Sequence, residues 1–300
     1  MAEPKLTELL SPSVLARIDD YSLLARVVVE GFISGLHRSL FQGFGSEFFQ
    51  YRPYAPGDDL KYVDWKVYGR SDRLQTKVYQ EETNMNCCLV LDASASMEYQ
   101  GDRASCSKLR YAAMAAACLA YLASRQGDRV GLYAYGNGLR TVVHPGRGGG
   151  LHGVLTAIAG LTAEGVADHR QALDFVSDSV RRRGIVIWLS DFHGAEDEVG
   201  SLLKRFRFAH HEGVAFQVLD PDEIDLPFGG TMRFVDSEHA GEIVTAPNEV
   251  REDYQRQVEA FTETIRLSCL REQVDYLFMR SDESLGNLLA AYLHRRESLC

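Results

Sequence analysis

The sequence predicts an α/β fold: a doubly wound, mostly parallel central sheet flanked by helices, with a small N-terminal helix-plus-strand module in front of it. Three observations carry that expectation. Apolar runs at 87–91 and 185–189 are continuous rather than alternating, and 214–219 is apolar but for Gln217, which suits strands covered on both faces. Segments of helical periodicity lie between them, the order of a parallel sheet built through helical crossovers. The first two runs lead into aspartates, Asp92 and Asp191, at the carboxyl ends of strands, where open parallel sheets hold their ligands.

Residues 1–82 read as the N-terminal module. Apolar residues at threes and fours, among them Val14, Leu15, Ile18, Tyr21, Leu24 and Val28, predict one amphipathic helix over 12–40, stopped by Gly43 and Gly45. The aromatic and charged stretch that follows has no helical period; Pro53, Pro56 and 57–59 mark turns, and 74–79 reads as a short strand. In this stretch Trp65 reads as a buried anchor and the charges as internal ion pairs.

Residues 83–300 form the second unit. The strand at 87–91 is followed by an alanine-rich helix over 108–124, able to lie close to the sheet. Two strands, 129–135 and 139–143, flank Gly136-Asn137-Gly138 as a hairpin. Helices at 150–161 and 169–183 precede the second apolar strand, and His210 and His211 close a helix before the third. A polar excursion over 222–247, a long helix to about 272, a strand at 274–279 and a helix at 285–294 complete the chain.

Composition narrows the function. With 45% apolar and 25% charged residues, the 300-residue chain can bury a sizeable core. A net charge of −10 repels phosphate backbones and argues against nucleic acid. Its placement is uneven: 220–263 carries 12 acids against 3 bases, whereas 37–80 carries 7 bases against 5 acids. No apolar stretch reaches the roughly 20 residues of a membrane helix, and the opening MAEPKLTELL lacks a signal-peptide pattern, so a cytoplasmic protein with no membrane span is expected. Six cysteines without CxxC spacing read as reduced apolar fillers.

The chemistry concentrates in DASAS, 92–96. Asp92, Ser94 and Ser96 alternate along a tight turn, so one carboxylate and two hydroxyls converge, a hard oxygen set that suits Mg²⁺ or Mn²⁺. Serines at a strand-to-helix turn also serve as helix caps, and that reading stands beside the first. His193 is either a general base near metal-bound water or a solvated loop histidine. The glycine-rich 145–150 lacks the lysine and hydroxyl of a phosphate loop and reads as a mobile rim beside the metal.

DxSxS after the first apolar strand, with Leu189-Ser190-Asp191 after the second, resembles the metal-ion-dependent adhesion site (MIDAS) of von Willebrand factor A (vWA) domains. RPYAPGDDLKYVDWKVYGRSDRL, the EET run, LVLDASASM, LDPDEIDLPFGG, VREDYQRQ and YLHRR are together similar to the bacterial domain-of-unknown-function family fifty-eight, over nearly the whole chain. That resemblance implies an A-type domain whose ion binds a carboxylate of a partner, and an association with MoxR-type AAA+ ATPases that remodel or mature client proteins. Carried over by position, Asp92, Ser94 and Ser96 are ligands, and Asp191 touches the ion directly or through water. The family's threonine falls in Gly165-Val166-Ala167-Asp168, where Ala167 has no side-chain oxygen and Asp168 is the available substitute. The expected function is therefore a non-catalytic adaptor or co-chaperone. The alternatives are a metal-dependent hydrolase using the same ion with His193, and a metal-free scaffold with a degenerate site.

Overall fold

The computed structural model describes residues 11–35, 50–55, 63–78, 85–146, 149–180 and 182–297. The expected helix stop at Gly43 and Gly45 and the turn at 56–59 lie outside them. Where one helix is expected over 12–40 there are two, α1 (Pro12–Leu15) and α2 (Tyr21–Gly35). Asp20 is the reason: its Oδ1 accepts from Ser22 N at 2.8 Å and Leu23 N at 3.2 Å, an N-cap that begins a new helix. Strand β1 (Gln50–Pro53) pairs antiparallel with β2 (Gln75–Val78), and between them lies a short helix, α3 (Trp65–Ser71), in a segment without helical period. Asp64 starts it by accepting from Lys66 N and Val67 N. Trp65 is not the buried anchor expected; it is 58% exposed and meets Tyr68 edge-on.

From there the chain builds the central sheet. Its elements are β3 (Asn86–Asp92), α4 (Lys108–Arg125), β4 (Arg129–Gly136), β5 (Gly138–Val143), α5 (Gly150–Ala159), α6 (His169–Ser179), β6 (Gly184–Ser190), α7 (Val199–Phe208) and β7 (Glu212–Leu219). A short α8 (Pro221–Asp225), the hairpin β8 (Met232–Val235) and β9 (Glu242–Thr245), α9 (Pro247–Arg271), β10 (Asp275–Arg280) and α10 (Leu285–Glu297) follow. The sheet order is β10-β7-β6-β3-β4-β5, and every neighbour is parallel except the β4–β5 hairpin. From β3 the chain winds outward to one side, then returns and winds to the other, as a doubly wound fold does.

The period-2 geometry of β3 divides the core. Cys87, Leu89 and Leu91 face one side of the sheet, with α2, α4, α5 and α10, while Cys88 and Val90 face the other, with α6, α7 and α9. Alanines 112, 113, 115, 116, 117 and 120 of α4 are all buried, so this helix presents a low surface to its neighbours on both sides. One of those neighbours is α2, whose Leu24, Val28 and Val29 are fully buried in the first core. The helix grouped by sequence with the N-terminal module therefore packs within the core of the sheet.

His210 and His211 close α7 through their backbone, donating to Arg207 O at 3.0 Å and Phe206 O at 2.9 Å, but the His211 side chain is buried. Its Nε2 donates to Val180 O at 3.1 Å, while Nδ1 is buried with no hydrogen-bond partner among the described residues. Burial lowers its pKa, outweighing the backbone of Val180 and Gly184, which favours the charged ring. Below the ordinary histidine value the unfolded chain binds a proton that the folded chain resists, so stability falls as pH drops from about 7 toward 5. Urea unfolding at both ends of that window should show a smaller pH-dependent loss for His211→Gln than for wild type; equal losses would contradict this.

Candidate functional site

Parallel pairing of β3 with β6 brings their carboxyl ends to one rim of the sheet. Asp92, the last residue of β3, is fully buried, and its Oδ1 accepts from Ser94 N at 2.9 Å to close the DASAS turn. Its Oδ2 accepts from Ser190 Oγ at 2.6 Å, and Ser190 Oγ in turn accepts from Phe192 N at 2.8 Å. Ser94 makes no side-chain cap for the single 3₁₀ turn that follows; instead its Oγ lies 3.1 Å from Ser96 Oγ. Ser96 lies near Asp191, and its hydroxyl helps hold that carboxyl ionised. The two loops thus bring Asp92, Ser94, Ser96 and Asp191 to one place: Ser190 Oγ ties Asp92 to the second loop, Ser96 and Asp191 line a common groove, and the capping alternative is not realised at Ser94.

A residue that the sequence reading missed completes the cluster. Lys108, the first residue of α4, is 2% exposed and donates to Asp191 Oδ2 at 2.9 Å and to Glu223 Oε1 at 2.6 Å. Its position was the available signal, since a cation at a helix N-terminus opposes the helix dipole and needs a reason to be there. Burial pushes Asp191 upward, but Lys108's charge and hydrogen bond overcome it and hold the carboxyl at about 2. Asp92 is raised, first by burial and then by the charge of Asp191. The pair therefore differentiates: Asp191 is the fixed anion, and Asp92 the carboxyl that resists ionising.

A second buried network supports the rim. The His193 carbonyl can only accept, so His169 Nε2 carries the proton and donates to it at 3.0 Å. His169 Nδ1 then accepts from Tyr135 OH at 3.0 Å, and Tyr135 OH accepts from Trp188 Nε1 at 2.7 Å. Together with His193 N donating to Asp191 Oδ1 at 3.0 Å, this fixes the loop after β6. The His193 side chain is exposed beside Asp191.

The turn expected to supply a threonine does reach the site, but through its backbone. Ala95 N donates to Gly165 O at 2.8 Å and Glu164 N to Ala93 O at 2.9 Å. Ala167 packs against the second core, and Asp168 is exposed and caps α6, accepting from Gln171 N at 2.9 Å. The glycine-rich stretch is not a rim of this site. Antiparallel β5 carries the chain back to the opposite end of the sheet, where Gly146 approaches Arg129 at the start of β4; residues 147 and 148 lie outside the described residues. The strand-end Asp220 also has another task. Its Oδ2 accepts from Gly101 N at 3.0 Å, and Asp222 accepts from Asp102 N at 2.7 Å, so both tie the loop before α4 to α8.

Hard oxygen donors from Asp92, Ser94, Ser96 and Asp191 fit a small divalent ion in kind. They include only two carboxylates, and among the described residues no three His, Cys, Asp or Glu side chains group as a metal cluster. A groove of about 900 Å³ opens from this rim, walled by the β8–β9 hairpin and α9. Phe234, Ile243, Val258 and Phe261 give it an apolar wall, and Glu98, Asp236 and Glu242 add acids. The hairpin's Val235, Ile243 and Val244 are each more than 60% exposed.

Fold and site together define an α/β protein with an oxygen-rich cluster at the carboxyl rim of its sheet. The chain belongs to the family described as "Protein of unknown function DUF58", whose model matches residues 50–264. It is 34% identical over 233 residues to "Uncharacterized protein Mb1516" of Mycobacterium bovis and to "Uncharacterized protein Rv1480" of Mycobacterium tuberculosis, covering 76% of this chain and 72% of each relative. Among solved structures it is similar to the conserved hypothetical protein BatB from Bacteroides thetaiotaomicron, with a TM-score of 0.50, 15% identity, and coverage of 71% of this chain and 99% of that one. That likeness concerns the fold alone. An aerotolerance-related membrane protein from Bacteroides fragilis is similar with a TM-score of 0.49 and 14% identity, over 70% of this chain and 99% of that one. Among the described residues no helix is long and apolar enough to cross a membrane.

Proposed function

We propose that this chain is a non-catalytic protein-interaction module with a vWA-like domain, acting in the cytoplasm as an adaptor or co-chaperone of a MoxR-type AAA+ ATPase on a client protein. In this reading Asp92, Ser94, Ser96 and Asp191 hold Mg²⁺ or Mn²⁺ in a MIDAS-like arrangement. The ion supplies a positive charge with an open coordination position for a partner's aspartate or glutamate. The observation that supports it most is the convergence of the two strand-end loops at the mouth of a groove with exposed apolar side chains. Exposed apolar surface rimmed by polar groups is what a protein-docking face needs.

The test is binding of the purified ATPase to the full chain with Mg²⁺ or with EDTA. Both EDTA and Asp92→Ala should weaken it at least tenfold, and undiminished binding in both cases rejects the reading. One feature keeps a hydrolase in view, the exposure of His193 in the groove beside Asp191. Turnover of phosphoesters or peptides with Mg²⁺ or Mn²⁺, abolished by His193→Ala, would favour that alternative.

A further inference from the structure

Lys108 is placed as a part of the site rather than as a surface charge. Its ammonium is enclosed between Asp191 on the rim of the sheet and Glu223 on α8. Glu223 is itself fixed: its Oε2 accepts from Asp220 N at 3.0 Å, and its carbonyl accepts from Tyr254 OH, on α9, at 2.7 Å. The lysine thus joins the oxygen cluster to the groove wall through two charge-assisted hydrogen bonds. It also neutralises an anion that a divalent ion would need, because its ammonium sits 2.9 Å from Asp191 Oδ2. A lysine can exchange partners where an arginine fork cannot readily do so, since its ammonium is a compact point charge on a flexible four-carbon stem.

We propose that Lys108 is the resident cation of this site, and that Asp191 becomes available to a divalent ion only as Lys108 shifts its hydrogen bonding onto Glu223. This rests on the reading that the oxygen cluster takes such an ion. Ion occupancy is then linked to α8 and the groove wall, so a partner in the groove and an ion on the rim influence each other's affinity.

Mn²⁺ binding to the full chain, followed by the paramagnetic resonance of free Mn²⁺, tests this. Lys108→Met removes a positive charge from beside the donors and should tighten Mn²⁺ binding at least tenfold, whereas Lys108→Arg, which keeps the charge but releases Asp191 less readily, should bind Mn²⁺ more weakly than wild type. Equal or weaker binding by Lys108→Met overturns the role of Lys108 while leaving the metal site intact. Absence of Mn²⁺ binding in both wild type and Lys108→Met overturns the metal reading and this inference with it. If Lys108→Met does not fold, the nitrogen-15 ammonium signal of Lys108 in wild type, identified by its loss in Lys108→Arg, gives the answer. It should move as Mg²⁺ is added; a fixed signal under saturating Mg²⁺ that raises the melting temperature overturns the exchange.

Discussion

Replacing Asp191 with alanine should destabilise the protein by about 3 kcal/mol, a cost typical of removing one partner from a buried ion pair. Two donors lose an acceptor at once: Lys108 Nζ and His193 N. Lys108 keeps only Glu223, whose carboxylate is partly open to solvent. The double variant Lys108→Met/Asp191→Ala should lose less than the sum of the two single variants, with a coupling of about 1 kcal/mol or more, because neither charge is then left buried alone. Urea unfolding of the four proteins measures this. Additive losses would mean that Lys108 and Asp191 are not the coupled pair described.

Trp188→Ala should cost about 3–5 kcal/mol, as large-to-small changes of buried aromatics do, and lower the melting temperature by on the order of 10 °C. The indole fills the second core against Phe192 and donates to Tyr135 OH. Trp188→Phe separates the two contributions: it keeps most of the volume and loses the donor, for about 1–2 kcal/mol. Far-ultraviolet circular dichroism follows the unfolding of both variants, because each substitution removes the buried tryptophan and leaves only Trp65, which is exposed. A Trp188→Ala protein as stable as wild type would contradict the packing of this core.

The sheet was legible in the sequence because β3, β6 and most of β7 are buried on both faces, which leaves an apolar run as the mark of each, broken in β7 only by Gln217. Asp92 and Asp191 were legible for the same reason, as polar residues at the ends of such runs. The β8–β9 hairpin was not, since its strands are four residues long and half exposed, so no run or clean alternation marks them. Helix α3 was hidden because a cap at Asp64, not an apolar stripe, starts it. Lys108 was hidden because its partners come from 83 and 115 positions away in the chain, and only the fold brings them together. The glycine-rich stretch was misplaced for the opposite reason. Its composition suggested a ligand loop, but the antiparallel turn at Gly138 sends it to the far end of the sheet.

The packing of α2 and α10 into the first core separates two things that usually coincide. The span that the family model matches, 50–264, leaves out both of these helices and the edge strand β10. An excised piece cut to that span would expose one whole flank of α4, a bare alanine-lined surface meant for neighbours it no longer has. The matched span and the residues that pack into one core therefore end at different places in this protein.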